Sequence, residues 1–206
     1  MIQSLTLIGG DHFNDTRSCW WVYEQIKITK PDCITLEQVL SPGGFVPVPF
    51  MEGVDKFEQE GRDNPQEIMD PFSAGLIYAI RNNTSLFVID DYFPNNGYWD
   101  TNLTKDEGWK RFLERSKNDK WYGKINNSLN FMRENIFKES TYDNWTRRNE
   151  IMARKIEQLH EKGYNRIVHI GGRGHYDPQR CLPLQHLLPS QEVVIVDAVE
   201  KRRTSL

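Results

Sequence analysis

Five short apolar runs constrain the fold of this 206-residue chain more than any other feature of its sequence. Each run is mostly β-branched or aromatic and nearly continuous rather than alternating, which is typical of strands that are covered on both faces. The runs are Leu5–Gly10, Cys33–Glu37, Ser85–Asp90, Arg166–Gly172 and Glu192–Ala198. We therefore expect five buried strands.

Segments with helical spacing separate these strands. They are Thr16–Thr29, Gln66–Asn82, Lys105–Arg115, Asn126–Glu139, Trp145–Lys162 and Pro178–Leu188. The clearest apolar stripe, on the segment 145–162, holds Trp145, Met152, Ile156 and Leu159, and Gly163 is its predicted C-cap. The alternation predicts an α/β fold, with a central, mostly parallel or mixed sheet of about five strands flanked by helices.

The length of the chain favours one domain spanning 1–206, since a typical domain has roughly 100–200 residues. Two irregular stretches, 41–65 and 92–104, interrupt the alternation of strands and helices. Long irregular segments in compact domains often form lids or binding loops. We expect both stretches to be insertions that face a small-molecule or peptide substrate.

Charge and apolar content exclude several partners. A formal net charge of −3 gives no basic field for nucleic acid, and no apolar run approaches the roughly 18–20 residues that span a membrane. The three cysteines form no C-x-x-C, and the N-terminal residues lack a signal-peptide pattern, so we expect a cytoplasmic protein. Aromatic residues such as Trp20 and Trp99 leave a homo-oligomer open, although core or loop packing is their default role.

Polar side chains follow four of the predicted strands. They are His12, Glu37, the pair Asp90 and Asp91, and His175. The carboxyl ends of strands in an open α/β sheet line the crevice where ligands bind. We therefore predict that these side chains converge on one site, although they are far apart in sequence.

Glycines precede both histidines, namely Gly9 and Gly10 before His12 and Gly171, Gly172 and Gly174 before His175. Glycine permits positive φ and close approach of a ligand or another backbone, so a tight turn is predicted at each histidine. Backbone amides in such turns, together with Arg173, also suit a small anionic ligand. The alternative is a purely structural turn with a hydrogen-bonded histidine.

Arg148 is the remaining candidate. Its guanidinium stays charged and offers a forked donor set, which suits a substrate carboxylate or a developing oxyanion. Helical periodicity alone favours a different interpretation, a solvated arginine on the surface of the helix. Motifs of P-loop proteins, zincins and α/β-hydrolases are absent from the sequence, so any metal site must be assembled across strands.

Five segments, read in order, resemble the TraB/Tiki family, which is related to the erythromycin esterases and ChaN-like proteins. The segments are LTLIGGDH, KPDCITLE, FVIDD, RRNEIMARKIEQL and IVHIGGRGH. The family pattern places a G-x-x-H after strand one, a glutamate after strand two, an arginine on a later helix and a second G-x-x-H. Here these fall on Gly9 with His12, Glu37, Arg148 with Met152, and Gly172 with His175.

The resemblance implies three activities: metal-dependent proteolysis in Tiki proteins, lactone hydrolysis in erythromycin esterases and haem binding in ChaN-like proteins. Asp11 and the pair Arg173–Gly174 depart from the family pattern. We expect either departure to change the substrate or to remove activity. Fold-level kinship does not fix a reaction, so these alternatives stay open.

The prediction is a hydrolase of an ester, lactone or amide bond. His12, Glu37 and His175 would bind a divalent metal (Mn, Co, Zn or Fe) or hold the attacking water directly, with a histidine as general base. Arg148 would stabilise the oxyanion, and Asp90 or Asp91 would orient a histidine or complete a metal shell. The competing prediction is a non-catalytic protein that binds a small anionic ligand or haem.

Overall fold

The computed structural model describes residues 2–10, 16–37, 71–89, 142–188 and 193–197. Their elements, in chain order, are β1 (Ser4–Gly10), α1 (Thr16–Thr29), β2 (Cys33–Leu36), α2 (Pro71–Asn82), β3 (Ser85–Val88), α3 (Tyr142–Glu161), β4 (Arg166–Gly172), a 3-10 helix (Arg173–Tyr176), α4 (Leu184–Leu187) and β5 (Val193–Asp197). The predicted helices 105–115 and 126–139 and the predicted insertions 41–65 and 92–104 lie outside the described residues. All five predicted strands are present.

The strands form one parallel sheet in the order β3-β2-β4-β1-β5. This confirms the predicted α/β class. β4 lies between β1 and β2, with His169 beside Leu7 on one side and beside Thr35 on the other. Because the strands are parallel, the carboxyl ends of β1, β2 and β4 meet at the same edge of the sheet.

Helices cover both faces of this sheet. α1 and α2 pack on the face that carries Ile8, Ile34 and Ile170, and α3 and α4 pack on the face that carries Leu7 and Ile167. Burial of these two apolar faces supplies the main stabilisation of the domain. The three-layer packing explains why the strands are apolar on both faces rather than alternating.

α3 has the predicted stripe and C-cap. Met152, Ile156 and Leu159 are fully buried against the sheet. Gly163 has φ of +100° and its N–H donates to the His160 carbonyl at 2.8 Å, which ends the helix as predicted. No helix within the described ranges is long and apolar enough to cross a membrane.

The helix predicted over Pro178–Leu188 is wrong for its first half, since only Leu184–Leu187 is helical. Residues 178–180 form a turn, in which the Gln179 N–H donates to Asp177 Oδ1. Pro183 has φ −61° and ψ 143° and stands at the N-cap of α4. A proline disfavours the helical conformation of the residue before it, so the helix begins after Pro183.

Candidate functional site

Glu37 is the centre of a buried polar cluster at the carboxyl edge of the sheet. It follows β2 directly and is only 3% exposed. Its Oε1 accepts a hydrogen bond from Arg148 Nη2 at 2.6 Å, and its Oε2 accepts one from the Gly172 N–H at 2.5 Å. Because a buried carboxylate needs such partners to stay charged, these two donors stabilise its ionised form.

Arg148 reaches Glu37 from the first half of α3, and its side chain is 16% exposed. The guanidinium carbon also lies 5.1 Å from the ring centre of Trp145, within the range of a cation–π contact. The interpretation of Arg148 as a solvated surface arginine is therefore wrong. Helical periodicity could not reveal this role of Arg148, because the partner carboxylate follows a strand and lies 111 positions away in the sequence.

His175 is fully buried in the 3-10 helix, beside Glu37. Its Nδ1 lies 2.5 Å from Asn149 Oδ1. The orientation of the Asn149 amide is settled, because its Nδ2 donates at 2.9 Å to the carbonyls of both His175 and Leu182. Since Asn149 Oδ1 can only accept, Nδ1 of His175 carries a proton, and in the neutral ring Nε2 holds the lone pair.

Nε2 of His175 lies 3.1 Å from Glu37 Oε1, but the angles are not those of a hydrogen bond. An imidazole lone pair and a carboxylate oxygen at this separation suit a shared proton, a water molecule or a divalent cation. Two of the three predicted metal ligands therefore fit a metal, although the adjacent Arg148 guanidinium weakens cation binding. His12, the third predicted ligand, lies outside the described residues, and no group of three or more metal-ligating side chains occurs within them.

The surroundings of His175 do not fit a haem. Nε2 faces the Glu37 carboxylate at 3.1 Å, and the Trp145 ring centre lies 4.6 Å from the imidazole centre. These neighbours occupy the space that a haem plane needs next to an axial nitrogen. His12, the other predicted axial ligand, and Asp90 and Asp91 lie outside the described residues.

The glycines before the cluster provide space rather than tight turns. Gly9 and Gly10 belong to β1, Gly171 and Gly172 belong to β4, and Gly163 is the one glycine with positive φ in the described ranges. The predicted positive-φ turns are therefore wrong for the described glycines. A Cβ on Gly9 would lie 3.0 Å from Arg173 Cα, so its absence lets the 3-10 helix fold back over the sheet.

Gly171, paired with Gly9 in the sheet, opens a second space. A Cβ there would lie 3.0 Å from His169 Nε2, 3.2 Å from the Tyr176 hydroxyl and 3.3 Å from Glu37 Oε2. These three polar groups therefore converge on the space beside the Gly171 Cα, which carries no side chain. Gly172, predicted to bind ligand through its amide, instead donates that amide to Glu37.

His169 and Tyr176 are members of the cluster that sequence reasoning missed. His169 lies within β4, fully buried, with Nδ1 2.9 Å from Thr35 Oγ1 and no hydrogen-bond partner for Nε2 among the described residues. Burial lowers its pKa to about 3, so the ring is neutral. Burial, with the nearby Glu37 charge, raises the pKa of Tyr176 well above its ordinary value. A histidine inside an apolar strand was the signal available in the sequence.

A cavity of about 360 Å³ is lined in part by Tyr176. The described residues that line it are Gly9, Arg173, Gly174, Tyr176, Asp177, Arg180, Ile195 and Val196. The predicted ligand-binding residues Gly9, Arg173 and Gly174 therefore line the same cavity, and Tyr176 belongs both to this lining and to the buried cluster.

The chain has no significant match among protein-family models, curated proteins or solved structures.

Proposed function

We propose that the chain is a hydrolase of an ester, lactone or amide bond, with its active site at Glu37, Arg148 and His175. The observation that carries the proposal is the convergence of a carboxylate, a guanidinium and an oriented imidazole at the carboxyl ends of β2 and β4. Each group has a distinct role in hydrolysis, and the resemblance to the TraB/Tiki family points to the same residues.

His175 acts as the general base. Asn149 holds the proton on Nδ1, so Nε2 can take a proton from a water molecule as its oxygen attacks the substrate carbonyl. Glu37, 3.1 Å away, stabilises the imidazolium that forms. The same imidazolium then returns its proton to the leaving oxygen or nitrogen as the tetrahedral intermediate collapses.

Arg148 stabilises the oxyanion of that intermediate. Its planar fork of five donors can contact Glu37 and a substrate oxygen together. The substrate approaches from the side of Arg148 and Trp145, whose partial exposure contrasts with the full burial of His175. Trp145 packs on the imidazole and restricts water on that side.

A divalent metal remains part of the proposal as a bound cofactor. His175 Nε2 and a Glu37 oxygen would hold it, together with His12 as predicted from the sequence. A bound metal would lower the pKa of the attacking water. Asp90 or Asp91 would then hold a histidine or the metal from a second shell, as the sequence predicts.

The test is a hydrolysis assay on a neutral aryl ester, a six-membered lactone and a fluorogenic peptide. Each is measured after chelator treatment and again with added Mn, Co or Zn, for wild type, His175→Gln and His12→Gln. We expect His175→Gln to lose at least about 100-fold in kcat/KM on the substrate that is turned over. His186→Gln, at an exposed histidine of α4, is the matched control and should keep full activity.

A second candidate function is ligand binding without turnover. The burial of Glu37 and His175, at 3% and 0% exposure, favours it because a substrate must displace neighbouring groups to reach them. Absence of turnover on all three substrates under every metal condition would support this candidate against the hydrolase.

A further inference from the structure

The cavity beside Tyr176 is lined by two chemically different groups of side chains. Arg173 and Arg180 form what we call its cationic wall, and Ile195 and Val196 of β5 form its apolar wall. Ile195 is 49% exposed, which is unusual for a large aliphatic side chain of a sheet. An exposed apolar surface of this kind often marks a binding site.

The described residues compensate the charges of Arg173 and Arg180 only in part. Arg173 is exposed and makes no hydrogen bond or ion pair with the described part of the chain. Arg180 Nε lies 3.5 Å from Asp177 Oδ2, and both side chains of this pair are substantially exposed, at 59% and 38%. Among the described residues that line the cavity, two guanidiniums therefore stand against one carboxylate, a positive excess that favours an anion.

The backbone of Arg173 is held against the sheet, while its side chain is exposed. Its Cα packs against Gly9, and it begins the 3-10 helix that carries His175 and Tyr176. The guanidinium therefore has a defined starting point two residues before the imidazole. Because the backbone of Arg173 is already held in place, anion binding has to order only its side chain, which limits the entropic cost of binding.

We propose that this cavity binds an amphiphilic anion, with its carboxylate or phosphate on Arg173 and Arg180 and its hydrocarbon part on Ile195 and Val196. Guanidinium forks match both anions, and the apolar wall selects those that carry a hydrocarbon chain or ring. Where this anion is the substrate of the neighbouring cluster, the inference rests on the proposed function. The substrate class is then an ester or amide that bears an acidic group.

Calorimetric titration with non-hydrolysable probes tests binding independently of turnover. The probes are 4-phenylbutyrate, 4-phenylbutyl phosphate and the neutral 4-phenylbutanol. We expect both anions to bind, the alcohol to bind at least about tenfold more weakly, and salt to weaken the anions alone. Acetate and inorganic phosphate, which lack the hydrocarbon, should also bind at least about tenfold more weakly than the matching probe.

Variants localise the site. Arg173→Gln should raise the Kd of both anionic probes about tenfold, and Ile195→Asn should raise it about threefold. Arg154→Gln is the matched control, because Arg154 is an exposed arginine of α3 outside the cavity. Anion binding that is absent in wild type, or unchanged in folded Arg173→Gln, would overturn the inference.

Kinetics separate this inference from the proposed function. If both proposals are correct, an ester with a free carboxylate has a lower KM than its neutral analogue, and Arg173→Gln raises the KM of the carboxylate ester to that of the neutral one. Turnover with equal KM for both esters would contradict the inference and leave the hydrolase intact. Probe binding without any turnover would leave the anion site intact and contradict the hydrolase.

Discussion

The Arg148 guanidinium lies 2.6 Å from Oε1 of Glu37, and this pair joins α3 to the carboxyl edge of the sheet. Glu37 is almost fully buried, whereas Arg148 retains some contact with solvent. Removing either partner leaves a desolvated charge, while removing both leaves none. The pair therefore couples the stability of the fold to the integrity of the candidate site.

A double-mutant cycle measures this coupling. Glu37→Gln and Arg148→Met are each expected to lower the free energy of unfolding by about 2–4 kcal/mol, and the double variant by less than their sum. Urea denaturation provides the measurement. The exposed pair Lys27–Glu24 is the control, with an expected coupling below about 0.5 kcal/mol. Strictly additive losses at Glu37 and Arg148 would contradict the buried ion pair.

His169 gives the fold a predicted sensitivity to acid. Its pKa in the folded protein is lowered to about 3 by burial, while an unfolded histidine takes up a proton near pH 6.5. Between these values the unfolded state binds more protons than the folded state. The contribution of His169 to the free energy of unfolding is therefore fully present above pH 6.5 and decreases as the pH drops towards 3. We expect this residue to contribute a slope of about 1 kcal/mol per pH unit between pH 6 and 4.

Urea denaturation of wild type and His169→Gln across this pH range tests that slope. The variant is expected to be less stable overall but to lose the contribution of one histidine to the pH dependence. His186→Gln, at an exposed position, should retain the slope that arises from His169. Parallel pH profiles for wild type and His169→Gln would show that His169 is not buried in its neutral form.

Asn149 is predicted to matter for both stability and activity. It is fully buried and connects His175 to the segment around Leu182 through three short hydrogen bonds. Asn149→Ala removes these three hydrogen bonds and leaves the buried partner groups unpaired, so it should lower the free energy of unfolding by about 2–3 kcal/mol. The exposed Asn82, whose amide donates to one helix carbonyl, is the comparison, and Asn82→Ala should cost less than about 1 kcal/mol. Equal losses would contradict the network.

Gly171 and Gly163 allow two glycine effects to be separated. Gly171→Ala places a methyl group about 3 Å from His169, Tyr176 and Glu37, so we expect about 1–3 kcal/mol of destabilisation and reduced hydrolysis. Gly163→Ala meets no atom within 4 Å and strains only its backbone at φ +100°, so it should cost about 1 kcal/mol and leave hydrolysis unchanged. Full activity in Gly171→Ala would show that the site does not need the space beside Gly171.

The strands and their class were predictable because burial on both faces leaves nearly continuous apolar runs. The limits of β4 agree with the sequence prediction, and α1 agrees at both ends. The strand order was not predicted. It depends on β1 pairing with β4 and β5, more than 160 positions away along the chain, and apolar content carries no information about such partners.

The site was partly predictable for a similar reason. Glu37 and His175 follow strands, so their placement at the sheet edge came from topology alone. Asn149 was missed although it lies in the apolar stripe of α3, four residues after Trp145 and three before Met152. A polar residue in such a stripe signals a buried hydrogen-bond partner. For the glycines, the predicted close approach of another backbone is present at Gly9, whereas positive φ is not found at the described glycines before His175, because local sequence shows conformational freedom but not which use the fold makes of it.

The rate of ester hydrolysis by Glu37→Gln tests directly whether the Glu37 carboxylate belongs to a hydrolytic site. The substrate is the ester with the highest kcat/KM for wild type, and circular dichroism confirms that the variant is folded. We expect a loss of at least about 100-fold in kcat/KM, because the amide cannot stabilise the imidazolium of His175. A folded Glu37→Gln that retains wild-type kcat/KM would contradict this expectation.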